Sequence, residues 1–413
     1  MRVDTVQPKY TLLDLGYHFN SSGELRTVEG DEPFQYTSQE EYEILGDAMT
    51  HEVYDLLEKL GLQRIVLKKP IDAGSDSEFS FVFGSPHFEL KPTLLVLLHG
   101  SGAVRAGQWG RRLIMNENLD RGSQIPYIER AMANEWGVLV MNTNNNIHLI
   151  NEHEVPLRYS KDSGMHAVNC WYRFVKYARA SRIYVVAHSR GGQDISRIVD
   201  EFPNDNRIEV VCLTDANFQF SNSRASHPVV INWAAQPLCS LVKPILGDPK
   251  NLSDRVHQLW AGTNEHDRSS YIAFDSIFHI LERYDRRTDM DCLLHEAWNI
   301  IEDGYNRVKS HAEVLAHPNT ASYVAADYVV QEGIITDFNV SGDIVYDDND
   351  HEYKSERQLP TEASLKRKAA MVKDDDVEEE EDEEEEEDDD SQLLNHRLLA
   401  PVSKKVMLSE KDN

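Results

Sequence analysis

Cysteine is scarce in this sequence: Cys170, Cys212, Cys239 and Cys292 stand alone in 413 residues, with no CxxC pair. A thiolate zinc module and a disulfide framework are both excluded, and the usage fits a reducing compartment. Long apolar runs are missing too. Stretches such as Leu94–Leu98 stop at five residues, whereas a membrane span needs about 20. The N-terminus MRVDTVQPKY has no apolar core of a secretory signal. Positive charge is in deficit, with 42 Lys+Arg against 71 Asp+Glu and a net charge of −29. Sixteen of those acidic residues fall in the 17 positions 374–390, so the other 396 residues carry −29 + 16 = −13. A body of that sign is a poor match for duplex DNA, whose phosphates need clustered Lys and Arg. No G-x-G-x-x-G, no G-x-x-x-x-G-K-[ST] and no H-E-x-x-H occurs; His51-Glu52 and His295-Glu296 each lack the second histidine. His148 and His153 sit in a polar loop and read as solvent-exposed rather than metal-binding. Dinucleotide, P-loop and zinc-protease chemistry have no support. The reading needs no cofactor and no metal.

What is present is an α/β rhythm. With 40% hydrophobic residues the chain can build a full core. Residues 1–90 read as an α+β preface: a hairpin about Ser21-Ser22-Gly23, then a helix opened by Ser38 and Glu41. Its stripe is Tyr42, Leu45, Met49, Val53, Leu56 and Leu60, and Gly61 stops it. Two β-rich pieces follow, Arg64–Lys68 and Phe79–Phe83. From residue 91 to about 290 short apolar runs alternate with helical or loop segments. The runs are Thr93–Leu98, Gly137–Asn142, Arg182–Ala187, Ile208–Thr214 and His257–Ala261. Such continuous runs belong to strands covered on both faces, as in a parallel sheet. Met165, Val168, Trp171, Tyr172 and Val175 line one face of a helix feeding Arg182–Ala187. Residues 217–250 read as a long polar stretch that holds small elements or covers a site. Helical material closes the fold from 271 through 336, with 291–336 as a closing segment beyond the core, and 337–413 reads as a disordered acidic tail.

Chemistry concentrates in Ala187-His188-Ser189-Arg190-Gly191-Gly192, directly after a strand. This is a G-x-S-x-G nucleophile elbow with alanine in the first position. The turn must be tight enough to expose a serine hydroxyl, so small residues are required on either side. Leu94–Leu98 runs into His99-Gly100-Ser101-Gly102, a strand end of the kind that supplies one oxyanion N–H. The backbones of Ser101 or Gly102 and of Arg190 would be the donors. A triad needs an acid and a histidine at later strand ends. Asp215 follows Ile208–Thr214, and His266 follows His257–Ala261 within Gly262-Thr263-Asn264-Glu265-His266-Asp267. The expected site is Ser189 as nucleophile, His266 as base and Asp215 as its partner. Glu265 or Asp267 remains the alternative acid, and the histidine would then be His279 or a later one.

Taken together, Leu97-Leu98-His99-Gly100-Ser101-Gly102, Val104-Arg105-Ala106-Gly107-Gln108-Trp109 and Arg111-Arg112-Leu113-Ile114 resemble the Arb-two-like domain. So do Asp120, Gln124-Ile125-Pro126, the elbow, Leu213-Thr214-Asp215 and Ala261-Gly262-Thr263 with His266. The resemblance spans about residues 14–282. That family takes in cotranscriptional regulators, a subunit of the argonaute siRNA chaperone complex and a domain appended to class II histone deacetylases. It implies an α/β-hydrolase-like fold, argonaute-type or chromatin partners, and nuclear roles in small-RNA silencing, heterochromatin or splicing. Arg190 stands where animal relatives carry an aromatic residue, and the acidic tail replaces an ER-retrieval-like ending. Lys366-Arg367-Lys368 with Lys373 reads as a basic import signal, and the acidic run as a ligand for histones or other basic proteins. Nuclear residence is expected, with the cytoplasm a second location. Two functions are open: a nuclear interaction protein on a hydrolase scaffold, and a working serine hydrolase acting on an ester, thioester or amide.

Overall fold

The computed structural model describes residues 9–316, apart from 73–74, 151–152, 221–227, 237–242 and 248–255. All of them lie in the unit Met1–Ile334. The basic cluster at 366–368 and the acidic run fall outside the described residues.

A hairpin of β1 (Tyr17–Phe19) and β2 (Leu25–Thr27) opens the fold. Helix α1 (Gln39–Lys59) follows. The Ser38 hydroxyl accepts the Glu41 N–H at 3.2 Å, while the Glu41 carboxylate takes the Thr37 hydroxyl. Only half of a capping box is therefore made. Strands β3 (Gln63–Val66) and β4 (Phe81–Gly84) come next, then β5 (Thr93–Leu98). Short helices α2 (Arg111–Asn116), α3 (Leu119–Gly122) and α4 (Ile125–Ala133) lead to β6 (Gly137–Val140). A second hairpin, β7 (Ile147–Ile150) with β8 (His153–Pro156), carries His148 and His153 on paired strands and not in the loop the sequence suggested. Then come α5 (Ser163–Cys170), β9 (Arg182–His188), α6 (Gly191–Glu201), β10 (Ile208–Thr214), β11 (Val229–Ala234) and β12 (His257–Trp260). Helices α7 (Ser269–Ile272), α8 (Phe274–Arg283) and α9 (Met290–Ala316) close the described part.

Eight strands form one sheet in the order β12-β11-β10-β9-β5-β6-β4-β3. β5, β6 and β9 to β12 run parallel, and β4 is antiparallel to both neighbours. Counted within the sheet the order is 1-2-4-3-5-6-7-8 with an inverted second strand, and the fold is α/β-hydrolase-like. Its strands read as unbroken apolar runs because both faces are covered. In β5, Leu95 and Leu97 join a core shared with α4, α8 and α9. Leu94, Val96 and Leu98 join the opposite core under α5 and α6. Each such side chain contributes roughly 1.5–3 kcal/mol by leaving water.

Two sequence expectations need correction. The stretch 217–250 contains β11, a central strand of the parallel sheet whose residues are buried from Val230 onward. Its flanking prolines and polar neighbours masked six apolar-rich positions. Tyr172 does not face the core. After Cys170 the helix widens through Trp171–Val175, where the Lys176 N–H reaches the Trp171 carbonyl five residues back. The buried face runs through Ala167, Cys170, Trp171, Phe174 and Val175, so Tyr172 lies outside it, 46% exposed. Among the described residues no helix is long and apolar enough to cross a membrane.

Candidate active site

Because β5, β9, β10 and β12 are parallel, Ser101, Ser189, Asp215 and His266 follow strand ends on the same, carboxyl edge of the sheet. Ligand sites of open α/β sheets lie on that edge. Ser189 occupies the corner between β9 and α6 with φ 52°, a left-handed conformation that costs an L-residue about 1–2 kcal/mol. Neighbouring backbone fixes it there. Its N–H donates to the Thr214 carbonyl at 3.2 Å, and its carbonyl accepts from Gly192 and Asn217. The two glycines allow the close passage. A Cβ on Gly191 would sit 2.8 Å from the Leu98 carbonyl oxygen, and one on Gly192 2.4 Å from that of Asn217. Ala187 is fully buried.

Asp215 follows β10 directly, also left-handed at φ 46°. Its Oδ2 meets Nδ1 of His266 at 2.6 Å. The carboxylate is itself held by the end of β11: Asp215 N–H donates to the Trp233 carbonyl at 2.8 Å, and Oδ1 accepts from Ala235 N–H at 2.9 Å. With Nδ1 turned to the carboxylate, Nε2 is the nitrogen left to accept a proton. The His266 ring lies against the ring of His188, centroids 4.7 Å apart, and so beside the residue that precedes Ser189. Among the described residues no hydrogen bond joins the Ser189 hydroxyl to His266. Bonds of that kind are commonly long in a resting site and tighten with substrate.

The alternative acids point elsewhere. Arg112 grips Asp267 through two nitrogens at 2.8 and 3.0 Å and reaches Glu265 at 3.1 Å. Arg268 bridges Glu117 at 2.6 Å and Glu265 at 3.0 Å. These pairs pin the turn that carries His266. His279 lies on α8, with Nε2 on Glu296 of α9 at 2.8 Å.

Among the described residues, the N–H groups of Ser101, Gly102 and Arg190 have no acceptor, as oxyanion donors require. Gly100 packs against the elbow, its Cβ position 3.5 Å from the Ser189 hydroxyl. The loop is shaped from behind by Asn144, whose side-chain amide donates to the carbonyls of Gly100, Gly102 and Val104 at 2.9, 3.2 and 3.1 Å. Asn142 receives the Ala106 N–H on its side chain at 2.9 Å and donates its own N–H to His166 Nε2 at 3.2 Å. Ser160 bonds the other His166 nitrogen at 3.0 Å. Burial holds His99 down at about 4 and His166 at about 3. His188, anchored on Thr214 at 2.9 Å, is held at about 3 by burial and then by the neighbouring His266. The ring under His266 is thus neutral and apolar in character near pH 7.

Sequence reasoning missed Asn142, Asn144 and His166, and gave no role to Arg112. The run Asn142-Thr143-Asn144-Asn145-Asn146 straight after an apolar strand was the available signal. Among the described residues no group of three or more metal-ligating side chains is placed to hold an ion.

A family model described as the Arb2 domain matches residues 9–236, more than half of the chain. The chain belongs to the Arb2 domain family. A FAM172 family protein homolog of Caenorhabditis elegans is 43% identical over 308 residues, covering 73% of this chain and 96% of the relative. The human cotranscriptional regulator ARB2A is 32% identical over 337 residues, covering 65% of this chain and 79% of that protein. Among solved structures, the histone deacetylase Clr3 is similar over 61% of this chain and 41% of that chain, at 14% identity and a TM-score of 0.33.

Proposed function

We propose that this chain is a nuclear regulatory protein that works alongside transcription, using an α/β-hydrolase-like scaffold as its interaction platform. The likeness to the human cotranscriptional regulator, covering 79% of that protein, carries this reading. Argonaute-type or chromatin proteins are the proposed partners, in small-RNA silencing, heterochromatin or splicing. The acidic run 374–390 offers histones or other basic nuclear proteins an electrostatic ligand, strongest at low salt. In cells depleted of the chain, sequencing of nascent RNA should show altered transcript processing, restored by re-expression. Unchanged processing, with the tagged protein absent from the nascent-transcript fraction, overturns the reading.

A second reading is a serine hydrolase acting on an ester, thioester or amide. The contact favouring it is that between Asp215 and His266 at 2.6 Å, beside a serine held at φ 52°. In that mechanism His266 Nε2 takes the Ser189 proton as the oxygen attacks the carbonyl, and Asp215 stabilises the imidazolium. The N–H groups of Ser101 or Gly102 and of Arg190 receive the developing oxyanion. His266 then returns the proton to the leaving group, and water releases the acyl group by the same route. A fluorophosphonate probe should label the wild type and leave Ser189→Ala and His266→Ala unlabelled. A wild-type chain that resists the probe sinks this reading alone.

A further inference from the structure

The regulatory reading does not account for a surface at the other end of β9. From residue 163 to 193 the chain has no acidic residue, although about one residue in six is acidic overall (71 of 413). Within that stretch the widened turn after α5 and the segment beyond it present Tyr172, Arg173, Lys176, Tyr177 and Arg179 to solvent. Tyr177 is 71% exposed and Tyr172 46%. The two rings meet edge to face at 6.3 Å, and the Lys176 ammonium lies 4.7 Å from one ring centre and 5.4 Å from the other. Among the described residues Arg173, Lys176 and Arg179 make no ion pair with a carboxylate. The nearby acid, Asp205, is taken by Arg207 at 2.7 Å and by the Trp171 indole. Glu89 meets the run through its carbonyl, which accepts the Arg179 N–H at 2.7 Å.

The turn is built to hold this display. Arg207 donates to the carbonyls of Val175, Lys176 and Ala178 at 3.1, 3.3 and 2.8 Å, closing the helix end from below. Phe174 and Val175 anchor it in the core. Widened turns of this kind recur at functional positions.

We propose that this surface binds single-stranded nucleic acid. Three cations without carboxylate partners suit a phosphate backbone, and two exposed aromatic rings offer stacking faces to unpaired bases. An acidic peptide would use the cations but leave the rings without a purpose. One turn of chain is too small to follow a duplex groove. The surface lies at the amino end of β9 and Ser189 at its carboxyl end, roughly 23 Å away at about 3.3 Å per residue, so occupancy of one leaves the other open.

Fluorescence anisotropy of a labelled oligouridylate of about 12 nucleotides, with the full chain, tests this. Wild type should bind the single strand more tightly than a duplex of the same length. Three phosphate contacts give a log–log salt slope of about −2. Tyr172→Ala and Tyr177→Ala should each weaken binding about ten-fold. The triple change Arg173→Gln, Lys176→Gln, Arg179→Gln should abolish it, while Lys176→Arg retains it; circular dichroism checks that each variant is folded. No binding by wild type overturns the proposal. So does tyrosine-independent binding, or competition by polyglutamate as strong as by unlabelled RNA, which would assign the surface to an acidic protein.

Discussion

The Asn144 side chain sits 44 residues along the chain from the carbonyl of Gly100 and yet donates to it, as well as to those of Gly102 and Val104. Three carbonyls drawn back toward one amide leave the N–H groups of the same loop facing outward. Neutral hydrogen bonds contribute about 0.5–1.5 kcal/mol each, and three sharing one amide do not add fully. Asn144→Ala should therefore lower unfolding free energy by about 1–2 kcal/mol, measured by urea titration. Asn144→Asp should cost more, because a carboxylate would face carbonyl oxygens. Equal stability of the two variants would show that the amide does not hold the loop. None of this was visible locally in the sequence, since each bond spans about forty positions. The placement of Ser189, Asp215 and His266 along one edge of the sheet was legible for the opposite reason: each directly follows a strand end or its turn, and strand ends are marked by apolar runs that stop.

Elements differ in how openly the sequence declares them. Thr93–Leu98 forms a strand over its full length, because six apolar-rich residues between Pro92 and His99-Gly100 have few other uses. β11 is equally buried but stayed hidden among prolines and polar residues, and with it the carbonyl and N–H that hold Asp215. The widened turn after α5 stayed hidden as well, because a 3.6-residue period carries no information about a single extra residue. Close contact between elements is the more testable feature. A Cβ on Gly192 would stand 2.4 Å from the Asn217 carbonyl oxygen, a backbone atom with no freedom to rotate away. Gly192→Ala should destabilise the fold by about 3 kcal/mol through overpacking, read as a drop in the urea midpoint. A change below about 0.5 kcal/mol would mean that strand and helix can separate at the elbow without cost.

Across the whole molecule, buried titratable groups make stability depend on pH. His99, His166 and His188 are held at about 4, 3 and 3, below their unfolded value of about 6.5. Their contribution is complete above that value and is lost as pH falls toward the folded values. Asp194 works in the other direction: burial raises it to about 6. Its contribution is present below about pH 4 and is lost as pH rises through 6. Between pH 4 and 6 the unfolded chain binds about three more protons at the histidines and one fewer at the aspartate. The net of two makes stability fall on acidification by about 3 kcal/mol per pH unit. Urea midpoints measured from pH 6.5 down to 4 should fall steeply, and a flat profile would place the histidines in contact with water.

Whether the chain works as a platform or as a catalyst is decided most directly by rescue. Cells lacking the protein would be supplied with wild type, with Ser189→Ala, or with Gly192→Ala as a scaffold-weakened control, and nascent transcripts would be sequenced from each. The regulatory account predicts that Ser189→Ala restores transcript processing as fully as wild type and that Gly192→Ala does not. Failure of Ser189→Ala at normal protein levels, together with Ser189-dependent labelling by a fluorophosphonate, would contradict it and make the hydroxyl of Ser189 the working part.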